Sequence, residues 1–322
     1  MHHNDVQLMR KRDCCPNCLS PSFVSIYIES FSSSSIRKYI EKHYEGRAPI
    51  NDLGDFDYEL VQCLSCTLAY QIYVPSDSLL TEIYNIWIPK CARQEIQDSH
   101  DLNHYRYLSE QVQFVIQHFQ LPPHLINVLD FGFGWAEWAR MAMAYGCEVF
   151  GSELSQERID YARTVGVKVV DSQKLPVNQF HFINTEQVFE HLVEPRSLLI
   201  QLVSSLRMGG IIKISVPDAN ESLRKIKSTR NLSSLSESDI VPIAPLEHIN
   251  SFNHKSLVTL ADSVGLKLFR PSLRKLYNSS SGWLDITNAI RLITRPFYRH
   301  VFPKSTYVYF ILAQPSTQGQ IG

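Results

Sequence analysis

Val128-Leu129-Asp130-Phe131-Gly132-Phe133-Gly134 is the stretch whose reading decides the fold. The apolar run Ile126 to Leu129, which follows the helix breakers Pro122 and Pro123, has the length and flanks of a buried strand. It runs straight into two glycines, and a helix begins near Ala136. Glycines let the backbone approach a ligand without a Cβ in the way, and a helix N-terminus adds unpaired N–H donors with positive dipole character. Asp130, at the strand end, is placed to position loop amides or to meet a ligand's amino group. The next strand ends at Gly151-Ser152-Glu153, 23 residues after Asp130, where a carboxylate accepts hydrogen bonds from both hydroxyls of a ribose.

Outward from this turn, strand and helix alternate: Trp135–Tyr145, Glu148–Ser152, Ser155–Val165, Val167–Val170, Phe180–Asn184, Pro195–Leu206 and Ile211–Val216. Such alternation predicts an α/β domain with a mainly parallel sheet covered by helices on both faces. Upstream, Tyr105, Leu108, Val112, Val115 and Ile116 form a helical stripe. Downstream, the polar, serine-rich Asp218–Asp239 reads as a surface loop or substrate lid, Lys255–Val264 as a helix and Tyr307–Leu312 as a closing strand. Residues 1–78 read as a small separate module of short strands, Phe23–Ile28 and Tyr58–Cys63, with an insertion at about 31–54. Residues 79–322 form the second domain.

Lys and Arg number 31 against 32 Asp and Glu, a net charge of -1, which advertises neither nucleic acid nor anionic lipid as a partner. The start of the chain lacks the apolar core of a secretory signal, and no window approaches the roughly 18 apolar residues that span a bilayer. A cytoplasmic address is the expectation. Arg291, Arg295, Arg299 and Lys304 read first as a solvated helix face and second as a grip for phosphate or carboxylate.

Cys15-Pro16-Asn17-Cys18 and Cys63-Leu64-Ser65-Cys66 are two CxxC turns 44 residues apart. Two such turns make the tetrahedral four-sulfur site that zinc prefers, with Cys15, Cys18, Cys63 and Cys66 as ligands and no position open for water. Cys14 competes with Cys15, but the spacing favours Cys15. A redox role is the weaker reading, because no thioredoxin-like βαβ pattern surrounds either pair. Cys91 and Cys147 read as small buried residues.

Spacing alone also fits a nicotinamide dinucleotide enzyme, but the third glycine of that fingerprint falls on Glu137. Val128–Gly134, Glu153, Phe180–Leu192 and Leu206–Pro217 resemble class I S-adenosylmethionine-dependent methyltransferases over about two-thirds of the chain. The resemblance implies a Rossmann-like seven-stranded sheet and assigns Asp130, Gly132, Gly134, Glu153, Asp171 and Gln187 to the cofactor. Two positions depart from the family pattern: Trp135-Ala136 replaces the common Thr-Gly, and His181 stands where an Asp is usual. Thr185-Glu186-Gln187-Val188-Phe189-Glu190-His191-Leu192 resembles the family's fourth motif. His191 beside Glu190, and His248 in Pro245–Asn250, are the candidate catalytic groups for an acceptor that must lose a proton. The plainer reading is that both histidines fix their turns.

Tyr58–Cys63 with Leu68-Ala69-Tyr70 resembles the N-terminal zinc-binding module of a subgroup that includes sugar C-methyltransferases and enzymes of surface-polysaccharide and natural-product pathways. This implies a small-molecule acceptor, such as a nucleotide-linked sugar, and a structural zinc. The alternative is a non-catalytic methyltransferase domain that acts as a binding scaffold.

Overall fold

A computed structural model of the protein describes residues 8–88, 99–271, 294 and 301–313. Cys91, Arg291, Arg295 and Arg299 lie outside these residues. The chain forms two compact units. The first gathers Met1–Ala92, Phe189–Arg196 and Pro217–Leu260, and the second Arg93–Val188, Ser197–Val216 and Ala261–Gly322.

The N-terminal part of the first unit contains β1 (Met9–Lys11), β2 (Phe23–Ser30), α1 (Ser34–His43), β3 (Asp57–Cys63), β4 (Ala69–Gln71), β5 (Tyr73–Pro75) and α2 (Asp77–Glu82). Ser33 caps α1, its hydroxyl accepting the Ile36 N–H. Ile36 and Ile40 lie one turn apart on the helix's buried face. The insertion at 31–54 is thus part of a core: Phe31, Ile36, Ile40, Tyr44 and Leu53 pack in one cluster with Tyr58, Leu60, Leu223 and Ile226.

The second unit then contributes α3 (Leu102–Phe119), β6 (Asn127–Phe131), α4 (Glu137–Ala144), β7 (Glu148–Ser152), α5 (Gln156–Thr164), β8 (Lys168–Val169), β9 (Phe180–Glu186), α6 (Pro195–Ser205) and β10 (Leu206–Ser215). In α3 the stripe is Leu108, Val112, Phe114 and Val115, while Tyr105 stands 40% exposed. Cys147 is buried, as its sequence context implies.

The segment read as a serine-rich loop forms α7 (Asn220–Thr229) and the short α8 (Glu237–Ile240), followed by β11 (Asn250–Ser251) and α9 (His254–Asp262). Leu223 and Ile226, three apart on α7, are buried while Arg224 and Lys227 face outward. Each buried aliphatic side chain contributes about 1.5–3 kcal/mol, enough to hold a helix whose serines dilute its apolar signal. β12 (Leu266–Phe269) and β13 (Val308–Leu312) complete the strands.

The second unit's sheet has seven strands in the order β12-β13-β10-β9-β6-β7-β8. The five strands from β10 to β8 are parallel, and β13 runs antiparallel to both β10 and β12. Leu129 sits between Phe150 of β7 and Ile183 of β9 in register. The chain therefore leaves β6 toward one edge and later returns on its other side. That reversal makes the carboxyl end of β6 a topological switch point, where ligands bind in open α/β sheets. Among the described residues no helix is long and apolar enough to cross a membrane.

Candidate functional site

At the switch point the backbone of Gly132 takes φ +74° and its N–H donates to the Ser152 carbonyl at 2.8 Å. A Cβ built on Gly132 would lie 2.6 Å from Val188 Cγ2, so only glycine leaves this cradle open. Phe133 turns inward onto Gly151, where an added Cβ would meet its ring at 2.6 Å. Ala136, where the family pattern has glycine, keeps the left-handed conformation at φ +57°. Trp135 lies against Tyr161, with the Arg158 guanidinium 5.9 Å from its ring centroid.

Glu153 is tied to the glycine turn. Its carboxylate accepts the N–H groups of Gly134 at 2.9 Å, Leu154 at 2.8 Å and Ser155 at 3.1 Å. Asp130 is buried, and burial pushes its carboxyl up to about 7 against the opposing pull of the Asn184 amide, which donates to it at 2.8 Å. Asp171 is exposed and accepts the Gln173 N–H at 2.8 Å. Gln187 is exposed at φ +56°, its N–H donating to the Ser215 carbonyl. His181 braces the start of β6 by accepting the Asn127 N–H at 3.0 Å.

A buried network beside this turn escaped the sequence reading. Lys213 of β10 is fully buried; its ammonium reaches Glu186 at 2.8 Å, Tyr107 Oη at 3.1 Å and Gln111 Oε1. The signal was a lone charge inside the apolar run Ile211-Ile212-Lys213-Ile214. Lys213→Met is expected to lower unfolding free energy by about 3 kcal/mol in urea titrations, at the low end for a broken buried pair because Glu186 keeps 31% exposure. An unchanged midpoint would show that the network adds nothing to stability.

In the first unit the structure brings Glu190, His191 and His248 together, with their ligating atoms all within 4.8 Å of one another. The two imidazoles meet edge to face at 4.7 Å between centroids. His191 Nδ1 lies 3.0 Å from the Glu247 carbonyl, which fixes the proton on Nδ1 and leaves the Nε2 lone pair available. Burial would raise the Glu247 carboxyl, but His43 at 2.7 Å outweighs it and holds the group below the usual carboxylate range.

Three residues that the sequence reading passed over hold these turns in place. The buried Arg12 guanidinium donates to the carbonyls of Ile249 at 3.1 Å and Val193 at 3.0 Å. Gln71 donates to the carbonyls of Ala244 and His248, and Asn250 to those of Phe189 and Leu192.

Burial pushes His248 down to about 3, and His191 beside it adds to the effect. A base depressed in the folded state, against an ordinary value of 6.5, contributes stability that is complete above pH 6.5. That contribution is lost as pH falls toward about 3, on the order of 4–5 kcal/mol in all. Chemical denaturation between pH 7 and pH 4 is expected to show this slope, and His248→Gln to flatten it. Equal slopes in both proteins would assign the acid sensitivity elsewhere.

Also in the first unit, Cys15, Cys18, Cys63 and Cys66 converge, with all four sulfurs within 4.8 Å. Cys15 and Cys66 lie 3.6 Å apart, and Cys18 and Cys63 3.5 Å. Tetrahedral zinc with about 2.3 Å bonds needs sulfurs about 3.8 Å apart, so the cluster fits the ion with little movement. A hydrogen bond from Cys15 lowers the Cys66 thiol below its ordinary value, while the same bond raises Cys15. Cys14 is not part of the cluster.

A seven-stranded, mainly parallel sheet whose switch point carries a glycine turn latched to an acidic side chain defines a Rossmann-like enzyme of the class I methyltransferase type. Residues 100–270 match a family described as a methyltransferase domain, and the chain belongs to that family: it is an S-adenosylmethionine-dependent methyltransferase. Comparison with curated proteins returned no match. Among solved structures, the plantazolicin methyltransferase BpumL in complex with SAH is 16% identical, covers 69% of this chain and 89% of its own, and has a TM-score of 0.47. An S-adenosylmethionine-dependent methyltransferase from Mesorhizobium loti is 13% identical, covers 63% of this chain and 99% of its own, and has a TM-score of 0.40. The family assignment rests on the match over residues 100–270.

Proposed function

We propose that the protein methylates a small-molecule acceptor, with nucleotide-linked sugars as the class to test first, and that Asp130, Gly132, Gly134, Glu153, Asp171 and Gln187 hold the cofactor. The observation that carries the cofactor assignment is the cradle at Gly132, closed by Val188 and latched by Glu153 to the Gly134 N–H. Bound there, S-adenosylmethionine supplies a methyl group on a sulfonium whose thioether leaves without acid assistance. The protein's work is then to orient the acceptor and, where the acceptor is a hydroxyl, amine or activated carbon acid, to take its proton.

His191 is the proposed base. Its Nδ1 is committed to the Glu247 carbonyl, so Nε2 is the atom that accepts a proton. Burial lowers its basicity, which keeps it in the neutral, accepting form near pH 7. Glu190 and His248 flank it, and Glu190 is placed to favour the imidazolium once the proton has moved. The acceptor class rests on the likeness of residues 58–70 to the zinc-binding module of sugar C-methyltransferases. The four-cysteine cluster is proposed to hold a structural zinc.

A panel of nucleotide sugars, free sugars and small natural-product scaffolds, scored by transfer of a labelled methyl group, tests the acceptor class. Turnover on a nucleotide sugar supports the reading; turnover confined to the other acceptors overturns it. With any accepted substrate, His191→Gln is expected to lower kcat by about 10²–10⁴-fold and leave cofactor affinity unchanged. An unaltered kcat removes His191 from the chemistry.

A further inference from the structure

We propose that His100, His104 and Glu137, all in the second unit, form a binding site for a divalent transition-metal ion, with ligands distinct from the four cysteines. His100 Nδ1 lies 3.0 Å from Glu137 Oε1, and His104 Nε2 lies 3.2 Å from Glu137 Oε2. One ligand atom from each of the three residues falls within 4.8 Å of the others.

The chain builds this cluster deliberately at two helix starts. His100 immediately precedes Asp101, which caps α3 by accepting the His104 N–H at 3.0 Å. Residues four apart across a capped first turn fall on one side, and the two rings stack at 3.7 Å with 13° between their planes. Glu137 is the first residue of α4, set by the left-handed Ala136 that ends the glycine turn.

The donor set selects the ion. Two imidazole nitrogens and one carboxylate suit zinc, cobalt or nickel, whereas magnesium and calcium prefer all-oxygen shells. Both nitrogens face one carboxylate, and a shift of each ring's proton to its other nitrogen converts the pair into ligands without loss of a proton from the protein.

Three protein donors leave coordination positions open, as in catalytic rather than structural zinc sites. Side-chain exposures of 21% for His100, 27% for His104 and 18% for Glu137 leave those positions within reach of water or of an oxygen or nitrogen donor on a ligand. The cysteine cluster, with four sulfurs, has no such opening. This site stands apart from the methyl-transfer reading and is tested without an acceptor.

The experiment starts from full-length protein whose cysteine site is already loaded with zinc and titrates it with Co²⁺, followed by calorimetry and visible absorption. One further equivalent is expected, with d–d bands and no thiolate-to-cobalt charge transfer. His100→Ala and His104→Ala are each expected to weaken that equivalent by about 10- to 100-fold or more. His100 precedes the α3 cap, so its truncation leaves the helix intact, and circular dichroism verifies this. Absence of the further equivalent overturns the site, as does an equivalent whose affinity and spectrum survive His100→Ala.

Discussion

Gly132→Ala is expected to reduce S-adenosylmethionine and S-adenosylhomocysteine affinity by at least about 100-fold, read by titration calorimetry on folded protein. The methyl group acts twice. At φ +74° an L-residue costs about 1–2 kcal/mol relative to a relaxed backbone, which pulls the turn away from its native path. In the native path the same methyl stands 2.6 Å from Val188 Cγ2, and a β-branched side chain has few rotamers with which to yield. The turn or the Val188 segment must therefore move, and a displacement near 1 Å in a positioning loop is worth about 100-fold. Gly132→Ala with Val188→Ala relieves the collision but not the backbone strain, so partial recovery is expected. Glu153→Ala, which frees the Gly134 N–H, is expected to weaken binding as well. Wild-type affinity in Gly132→Ala would remove the glycine turn from the cofactor site.

The contrast between what the sequence foretold and what it did not follows the range of the interactions. The alternation of apolar runs places β7 at Glu148–Ser152 and β9 from Phe180 because a strand buried on both faces writes its own boundaries into composition. The pairing of Glu153 with the glycine turn was legible as spacing, yet its partners were not. The carboxylate accepts three backbone N–H groups, and no side-chain pattern announces a backbone donor. Arg12, Gln71 and Asn250 fix the His191 and His248 turns through backbone carbonyls, 173 to 237 residues away for the first two, and no side-chain pattern announces a backbone acceptor so distant in the chain. The residues of α7 were obscured for a different reason: the segment hides a few buried aliphatics among serines, and it gains its helix from packing against the core that also holds Ile36 and Ile40 of α1 rather than from local propensity. Lys213 shows the converse: a charge within an apolar strand was visible all along, and only its partners were missing.

Cys63→Ser is expected to remove one zinc per chain and to lower kcat by about 100-fold or more while S-adenosylmethionine affinity stays near wild type. The route of the damage is explicit in the first unit. Cys63 ends β3, and its N–H donates to the Leu68 carbonyl, which sets the start of β4. β4 pairs with β11, Tyr70 against Asn250, and Asn250 in turn holds the carbonyls of Phe189 and Leu192 on either side of His191. The other knuckle is bound to the same region, since the buried Asn17 amide donates to the Ser256 carbonyl at 2.9 Å, and Asn253 donates to the Thr67 carbonyl at 3.1 Å. Zinc held by the four cysteines would therefore fix two turns on which the register of β11 depends, and His248 lies two residues before that strand. Structural zinc in isolated fingers contributes about 10–16 kcal/mol of apparent binding energy. Here the apolar cluster around Tyr58, Leu60 and Leu223 retains part of the first unit without it, so local loosening rather than global unfolding is the expected result. Loss of about 100-fold or more in kcat, with bound zinc falling by one equivalent per chain, would match a misplaced His191. The proposed cofactor residues belong to the second unit, so calorimetry separates the two effects. Full turnover in zinc-free Cys63→Ser would show that the knuckles and the histidine pair are independent, and would return the cysteine cluster to a purely local role.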